Sequence, residues 1–384
     1  MHRRTRSISI LAAVGALAAV ALPGGASAAT PDAPGVSPAV FVQTNDPSGN
    51  AIVSYRRAPD GSLDKQGTFP TGGLGGTTVS APTDPLASQG SLVLDRHRAL
   101  LYAVNAGSDS VSVFSVAGAD LTLRQVIPSG GDFPVGVTTA RNLVYVLNAG
   151  GAGSVAGFDV AGNHLRRARE ATRSLGLANT SPPFFLTSPA QVGLTPDADH
   201  LIVTTKTRGE VDVFGVAPSG RLSEAPTVTN DTGPVPFAFD FDRAGRLVLS
   251  DASGTANTFT VGRDGGLQAV GTDAPNGQAA TCWIVPARGF FYTTNTGSDT
   301  ITGYAQDGGQ LRLLSPDGVS AHTDGGPIDI ATSPGGRFLY ELNGTGGSVG
   351  IYRVAADGSL EQTGSVTGLR AFDGVNGMEG IVVA

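Results

Sequence analysis

Residues 101–114 read Leu101-Tyr102-Ala103-Val104-Asn105-Ala106-Gly107-Ser108-Asp109-Ser110-Val111-Ser112-Val113-Phe114. An apolar run ends at Asn, a short turn of small residues follows, and a second run alternates apolar with polar residues. Period-two alternation marks a strand with one buried face, and Gly, Ser and Asp between two such runs mark a hairpin. The unit returns as Phe291-Tyr292-Thr293-Thr294-Asn295 followed by Gly297-Ser298-Asp299-Thr300-Ile301-Thr302-Gly303-Tyr304. Val144–Asn148 and Leu339–Asn343 are further copies, and weaker ones end at Asn45, Lys206 and Asp251. That makes seven units, with Lys206 and Asp251 read at the Asn position of two neighbours.

A second marker follows each unit: a hairpin closed by Leu, clearest in Asp60-Gly61-Ser62-Leu63, Asp264-Gly265-Gly266-Leu267 and Asp357-Gly358-Ser359-Leu360. The closing leucines run Leu63, Leu121, Leu165, Leu222, Leu267, Leu311 and Leu360. Asp-Gly supplies the positive φ angles of a tight hairpin and so marks antiparallel neighbours. A third turn precedes the Asn strand, as in Pro196-Asp197-Ala198-Asp199 and Pro334-Gly335-Gly336-Arg337. Each unit is therefore four short antiparallel strands. One such sheet cannot bury both faces, whereas seven packed radially bury the faces between them. The predicted fold is all-β, a seven-bladed β-propeller of four-stranded antiparallel blades over residues 39–384. The chain enters at Ala39-Val40-Phe41-Val42 as a second strand, and Glu379-Gly380-Ile381-Val382-Val383 has no unit of its own. The C-terminal strand is expected to complete blade 1 and close the ring.

Composition agrees with this reading. Among 384 residues, 55 are Gly and 24 are Pro, while only 15% are charged and 6% aromatic. Glycine at this density excludes a coiled coil or helical repeat, the absence of a three-residue glycine period excludes collagen, and recurring apolar runs exclude disorder. Basic residues at Met1–Ser7, an apolar run over Ile8–Leu22 and Ala26-Ser27-Ala28 read as a secretory leader spanning 1–28, too short to cross a bilayer. A flexible mature N-terminus over 29–38 is expected to follow. Loss of the leader's three arginines shifts net charge from −7 to −10. An acidic exported chain argues against nucleic acid or membrane as partner. The expected partner is a small-molecule ligand or an extracellular protein, and the expected state is a monomer. The single cysteine, Cys282, lies in an apolar run and is read as buried.

In a propeller the second-to-third-strand turns share a face with the blade-to-blade connections, around the mouth of the channel. Three connections there are long: Thr71–Gln89, Ser174–Ala190 and Gly271–Thr281. The candidate catalytic residues on that face are His322, Asp324, Lys206 and Asp251. His322 lies beside Asp324 as a possible general base, and Lys206 and Asp251 carry opposite charges in adjacent blades, as a clamp or an inter-blade bridge. Candidate ligand-binding residues are Arg208, Glu210, Asp132, Asp231 and Asp329, the last on an inner strand where it lines the channel or caps a turn. His97, His164 and His200 fall on the opposite face. No metal-ligand spacing, nucleophile elbow or phosphate-binding loop is present, and no cofactor is expected.

The repeated Leu-Tyr-x-x-Asn-x-Gly-Ser unit with its Asp-Gly-Ser-Leu hairpin resembles the seven-bladed lactonase family of 6-phosphogluconolactonases and carboxymuconate cyclases, over essentially the whole mature chain. Tyr-Val-Thr-Asn-type surface propellers share the unit, so it speaks for architecture. The resemblance implies a Pro-His-x-His segment entering the fourth blade and a Gly-Pro-Arg-His segment entering the fifth. Ser188-Pro189-Ala190 and Gly233-Pro234-Val235-Pro236 stand there instead, so Ser188 and Ala190 replace the histidines and Val235 and Pro236 replace Arg and His. The expectation is a secreted lactonase-like hydrolase acting on a lactone or related small cyclic substrate with a rearranged site. The alternative is a non-catalytic extracellular propeller that binds a ligand or a protein.

Overall fold

A computed structural model describes residues 38–384. The expected leader at 1–28 and nearly all of the 29–38 segment lie outside them. The described chain forms seven antiparallel sheets, and each supplies one strand to the central channel. From the channel outward, blade 1 runs Glu379–Val383, Ala39–Gln43, Ala51–Arg57 and Leu63–Pro70. The C-terminal strand does close the ring: Val383 pairs with Val40 and Ile381 with Val42. The other inner strands are Leu92–Asp95, Pro134–Ala140, Gln191–Leu194, Pro236–Phe241, Thr281–Ala287 and Pro327–Thr332, for blades 2 to 7. Blade 4 departs from the pattern at its edge. Its outer strand is only Thr227–Thr229, and Leu222 joins by an isolated bridge to Val216.

The sequence markers turn out to be joints of the ring. Asn105 donates to Ser110 Oγ and Ser112 Oγ (3.2 and 2.8 Å) and accepts from Thr71 Oγ1 and Asn50 Nδ2, which belong to blade 1. Asn295 repeats this with Thr300, Thr302, Thr281 and Asn276. A buried amide satisfied from both sides locks a hairpin to its neighbour, which is why the repeat carries Asn ahead of Ser or Thr at alternate positions. The motif tyrosines form the second joint. Tyr145, Tyr292 and Tyr340 are fully buried and donate their hydroxyls to the carbonyls of Gly220, Gly358 and Gly61, each in the outer hairpin of the next blade. The Tyr and the Asp-Gly hairpin are thus one inter-blade contact seen from two sides.

The inner strands of blades 5 and 6 each carry a β-bulge near their start, between Pro236 and Phe239 and between Thr281 and Ile284. An extra residue redirects the side chains around it. Here it buries Phe237 and Trp283 edge to face, with centroids 4.9 Å apart. Cys282 is buried beside them, as expected.

Candidate functional site

The connection over 71–89 does not border the mouth; it fills it. Ser88 Oγ donates to Val135 O of blade 3, Lys206 Nζ of blade 4 donates to Ala87 O, and Trp283 Nε1 of blade 6 donates to Ser88 O. Gln89 exchanges two side-chain bonds with the Ile284 backbone, and Leu86 N donates to Glu379 Oε2 of the closing strand. A segment that touches blades 1, 3, 4 and 6 at once lies on the axis. The second long connection joins this cover: Val79 N donates to Pro183 O and Phe185 N to Val79 O. Ser80 and Ala87 in the cover have left-handed backbones, φ 62° and 52°. Non-glycine residues hold that conformation only where their surroundings impose it.

Beneath the cover Lys206 is 1% exposed. Its ammonium nitrogen donates to Ala87 O at 2.6 Å and to Ser188 Oγ at 2.8 Å, and it lies 5.5 Å from the centroid of the Phe237 ring. Every oxygen it bonds is neutral, and among the described residues no carboxylate comes within ion-pair distance of it. Burial pulls the amine down to about 7, opposed chiefly by the more distant carboxyl of Asp84. Asp84 accepts from Leu86 N and Ser88 N, Glu379 accepts from Leu86 N, and burial raises both carboxyls. Burial also pushes up the Cys282 thiol, which makes it inert as a nucleophile.

The predicted residues disperse around this centre. Asp251 is buried, but its carboxylate caps the backbone amides of Val235 and Ser253 at 2.8 Å each. It makes neither a bridge nor a clamp with Lys206. Nor do the two share a repeat position. Across the hairpin Asp251 pairs with Thr255, as Asn343 pairs with Ser348, whereas in blade 4 Thr204 pairs with Val211, as Val104 pairs with Val111 one residue before Asn105. Thr205 therefore holds the Asn position and Lys206 lies one residue beyond it, with φ 52° in a 3-10 turn. The turn is as long as that of blade 2, where the small Ala106 stands at this place, so it is the long side chain of Lys206 that reaches the axis.

His322 and Asp324 are exposed near the outer edge of blade 6, where His322 pairs with Thr300, and the structure does not bring them to Lys206. Arg208 and Glu210 form an ion pair with each other, and Arg208 also donates to Leu175 O. Asp132 and Asp231 are exposed. Asp329 caps the buried amides of Ile330 and Ile381 at 2.8 and 2.9 Å, which ties blade 7 to the closing strand. Burial raises its carboxyl to about 8.

Sequence reading missed Asp84, Glu379 and the contact between Ser188 and Lys206. Asp84 sits in a Pro-rich loop and Glu379 opens a strand, so neither carries a local signal. Below the cover the channel continues as a cavity of about 410 Å³ lined by the later parts of the inner strands, with Gln191, Asp240 and Asp329 among its polar groups. Leu94 and Arg96 border it, so it opens on the face of the first-to-second-strand turns. Among the described residues no His, Cys, Asp and Glu cluster could hold a metal, and no helix is long and apolar enough to cross a membrane.

Fold and ring closure define a seven-bladed β-propeller of the kind found in lactonase-type proteins. Among solved structures, the chain is similar to the periplasmic gluconolactonase of Pseudomonas aeruginosa (18% identity, TM-score 0.64), covering 89% of this chain and 99% of that one. It is also similar to a protein from Lactobacillus plantarum (18%, TM-score 0.69, 90% and 98% covered) and to a candidate 6-phosphogluconolactonase from Bacteroides fragilis (17%, TM-score 0.68, 88% and 98%). At these identities the likeness establishes the fold. In sequence the chain is 26% identical to a 6-phosphogluconolactonase of Serratia proteamaculans over 191 residues, 46% of this chain and 56% of that relative. No protein-family model matches the chain.

Proposed function

We propose that the chain is an exported hydrolase of lactonase type, acting on a small neutral lactone at the covered end of the channel. The carrying observation is Lys206, a buried amine held near neutrality with no carboxylate against it. Such an amine can accept a proton at neutral pH, as ring opening by water or a hydroxyl requires. The similarity to gluconolactonases supports the reaction class. Neutrality of the substrate follows from the surroundings: the nearby Arg208 is committed to Glu210, and no guanidinium is bonded within the buried group. A phosphate would lack its usual bidentate partner.

Purified mature protein should open neutral γ- and δ-lactones and act at least about 100-fold more slowly on phosphorylated ones. Lys206→Met should lower kcat/KM by about 100-fold or more. A wild-type protein that opens no lactone in the panel sinks this reading. The closed mouth favours a second one, a propeller that binds a ligand without turnover. Saturable binding of a lactone with no product would then be observed.

A further inference from the structure

We propose that Ser188 is a nucleophile and Lys206 its general base, a serine–lysine pair reached when the segment Asp84–Gln89 lifts from the channel. The inference deepens the lactonase reading and rests on it for the substrate class. Lys206 Nζ and Ser188 Oγ are 2.8 Å apart; the Ser188 hydroxyl donates to Phe185 O at 3.0 Å, and rotation about Cβ–Oγ turns that proton from Phe185 O to a neutral Nζ. Both side chains are fully buried.

A lysine placed at this depth for structure alone is normally paired with a carboxylate, because an unpaired buried charge is costly. Two carboxyls stand nearby, yet they are taken up by the backbone amides of Leu86 and Ser88 and leave the lysine to a carbonyl and a hydroxyl. That arrangement suits a neutral amine. The partner on the other side, Ala87 O, belongs to the cover. Lifting the cover would free one lysine position, leave the Ser188 contact intact, and relieve left-handed backbone at Ala87. Space then opens above the hydroxyl for a carbonyl carbon.

The step balances. Ser188 Oγ attacks the lactone carbonyl carbon while its proton passes to neutral Lys206 Nζ. The ring C–O bond breaks, the departing alkoxide takes that proton from the ammonium, and the acyl group remains on Ser188 as an ester. Water then attacks the ester with Lys206 again accepting the proton, releasing the hydroxy acid and restoring the serine.

The test is labelling of the intact mature protein with a fluorophosphonate and with a β-lactone, followed by peptide mass spectrometry. Both reagents should modify Ser188. Lys206→Arg, which keeps a cation but cannot act as a base near pH 7, should slow labelling at least about 100-fold with its melting temperature checked alongside. Ser188→Ala should lose both labelling and lactone hydrolysis. Absence of any adduct on Ser188 in wild-type protein overturns the pair. So does undiminished lactone hydrolysis by a folded Ser188→Ala, an outcome that leaves the lactonase reading standing. An adduct on Ser188 in a protein that opens no lactone supports the pair and rejects that reading instead.

Discussion

Glycine in this chain is a packing residue as much as a turn residue. Gly358 has φ +87°, and a Cβ built there would lie 2.8 Å from Phe290 and from Leu314 side-chain carbons; its carbonyl also receives the Tyr292 hydroxyl. Left-handed backbone, side-chain crowding and an inter-blade hydrogen bond therefore coincide in one residue. Gly358→Ala should lower stability by about 2–4 kcal/mol, whereas Tyr292→Phe, which removes only the hydroxyl, should cost about 1 kcal/mol. Urea unfolding of both variants checks the order; an alanine that costs less than the phenylalanine would refute it. At this same scale Lys206 shows how little a repeat position says about a side chain's destination. A shift of one residue past the Asn position turns what reads as a rim residue into an axial one.

The closing strand is the element on which the ring depends. Its backbone pairs with Ala39–Gln43, Ala384 N donates to Ala39 O, and Asp329 of blade 7 accepts from Ile381 N. Ile381 and Val383 are buried, and Glu379 anchors the cover through Leu86. Removal of Gly380–Ala384 strips the inner strand from blade 1 and exposes its neighbours on both sides. The truncated protein should melt at least about 10 °C lower by calorimetry, if it folds at all; unchanged melting would contradict closure by this strand. The cover belongs to the same element-scale logic. A connection long enough to reach the axis finds unpaired backbone groups and aromatic surface there, and burying Leu86 against them fills the upper channel.

Across the whole molecule, buried carboxyls set the response to pH. Burial raises Asp212 and Asp240 to about 6 and Asp329 to about 8, and raises Asp84, Glu341 and Glu379 as well. Each keeps its proton in the folded state at a pH where the unfolded chain has lost it. Their contribution is full below the unfolded carboxylate range and is lost as pH rises through the folded values. Lys206 has the opposite slope. Its folded value of about 7 lies below the unfolded 10.5, so its penalty is full below 7 and is relieved only above that. Turn carboxylates such as Asp242 and Asp373 are lowered and lose their contribution in acid. The melting temperature should therefore peak near pH 5 and fall by several degrees toward pH 8. A series at constant ionic strength tests this, and an equal or higher value at pH 8 would reject it. Asp329→Asn should flatten the fall between pH 6 and 8.

By itself the sequence determined the architecture, because every joint of the ring is written locally. Asn ahead of alternating Ser or Thr, Tyr beside Leu and Asp-Gly before a closing Leu recur as short spacings, and the orphan strands at the two ends imply one shared blade. Even Cys282 was legible as buried from its apolar neighbours. The site was not legible in the same way. Lys206 was singled out, but its surroundings come from Asp84 and Ala87 in one loop, Ser188 in another and Glu379 at the C-terminus, and no spacing links them. His322 and Asp324 looked like a pair because they are close in sequence, yet they stand together on the exposed rim. Only the tertiary structure decided that the connection over 71–89 enters the channel. The physical reason is that strand pairing is specified by local period and turn chemistry, whereas the path of a long connection is set by which distant groups remain unpaired when the ring has closed.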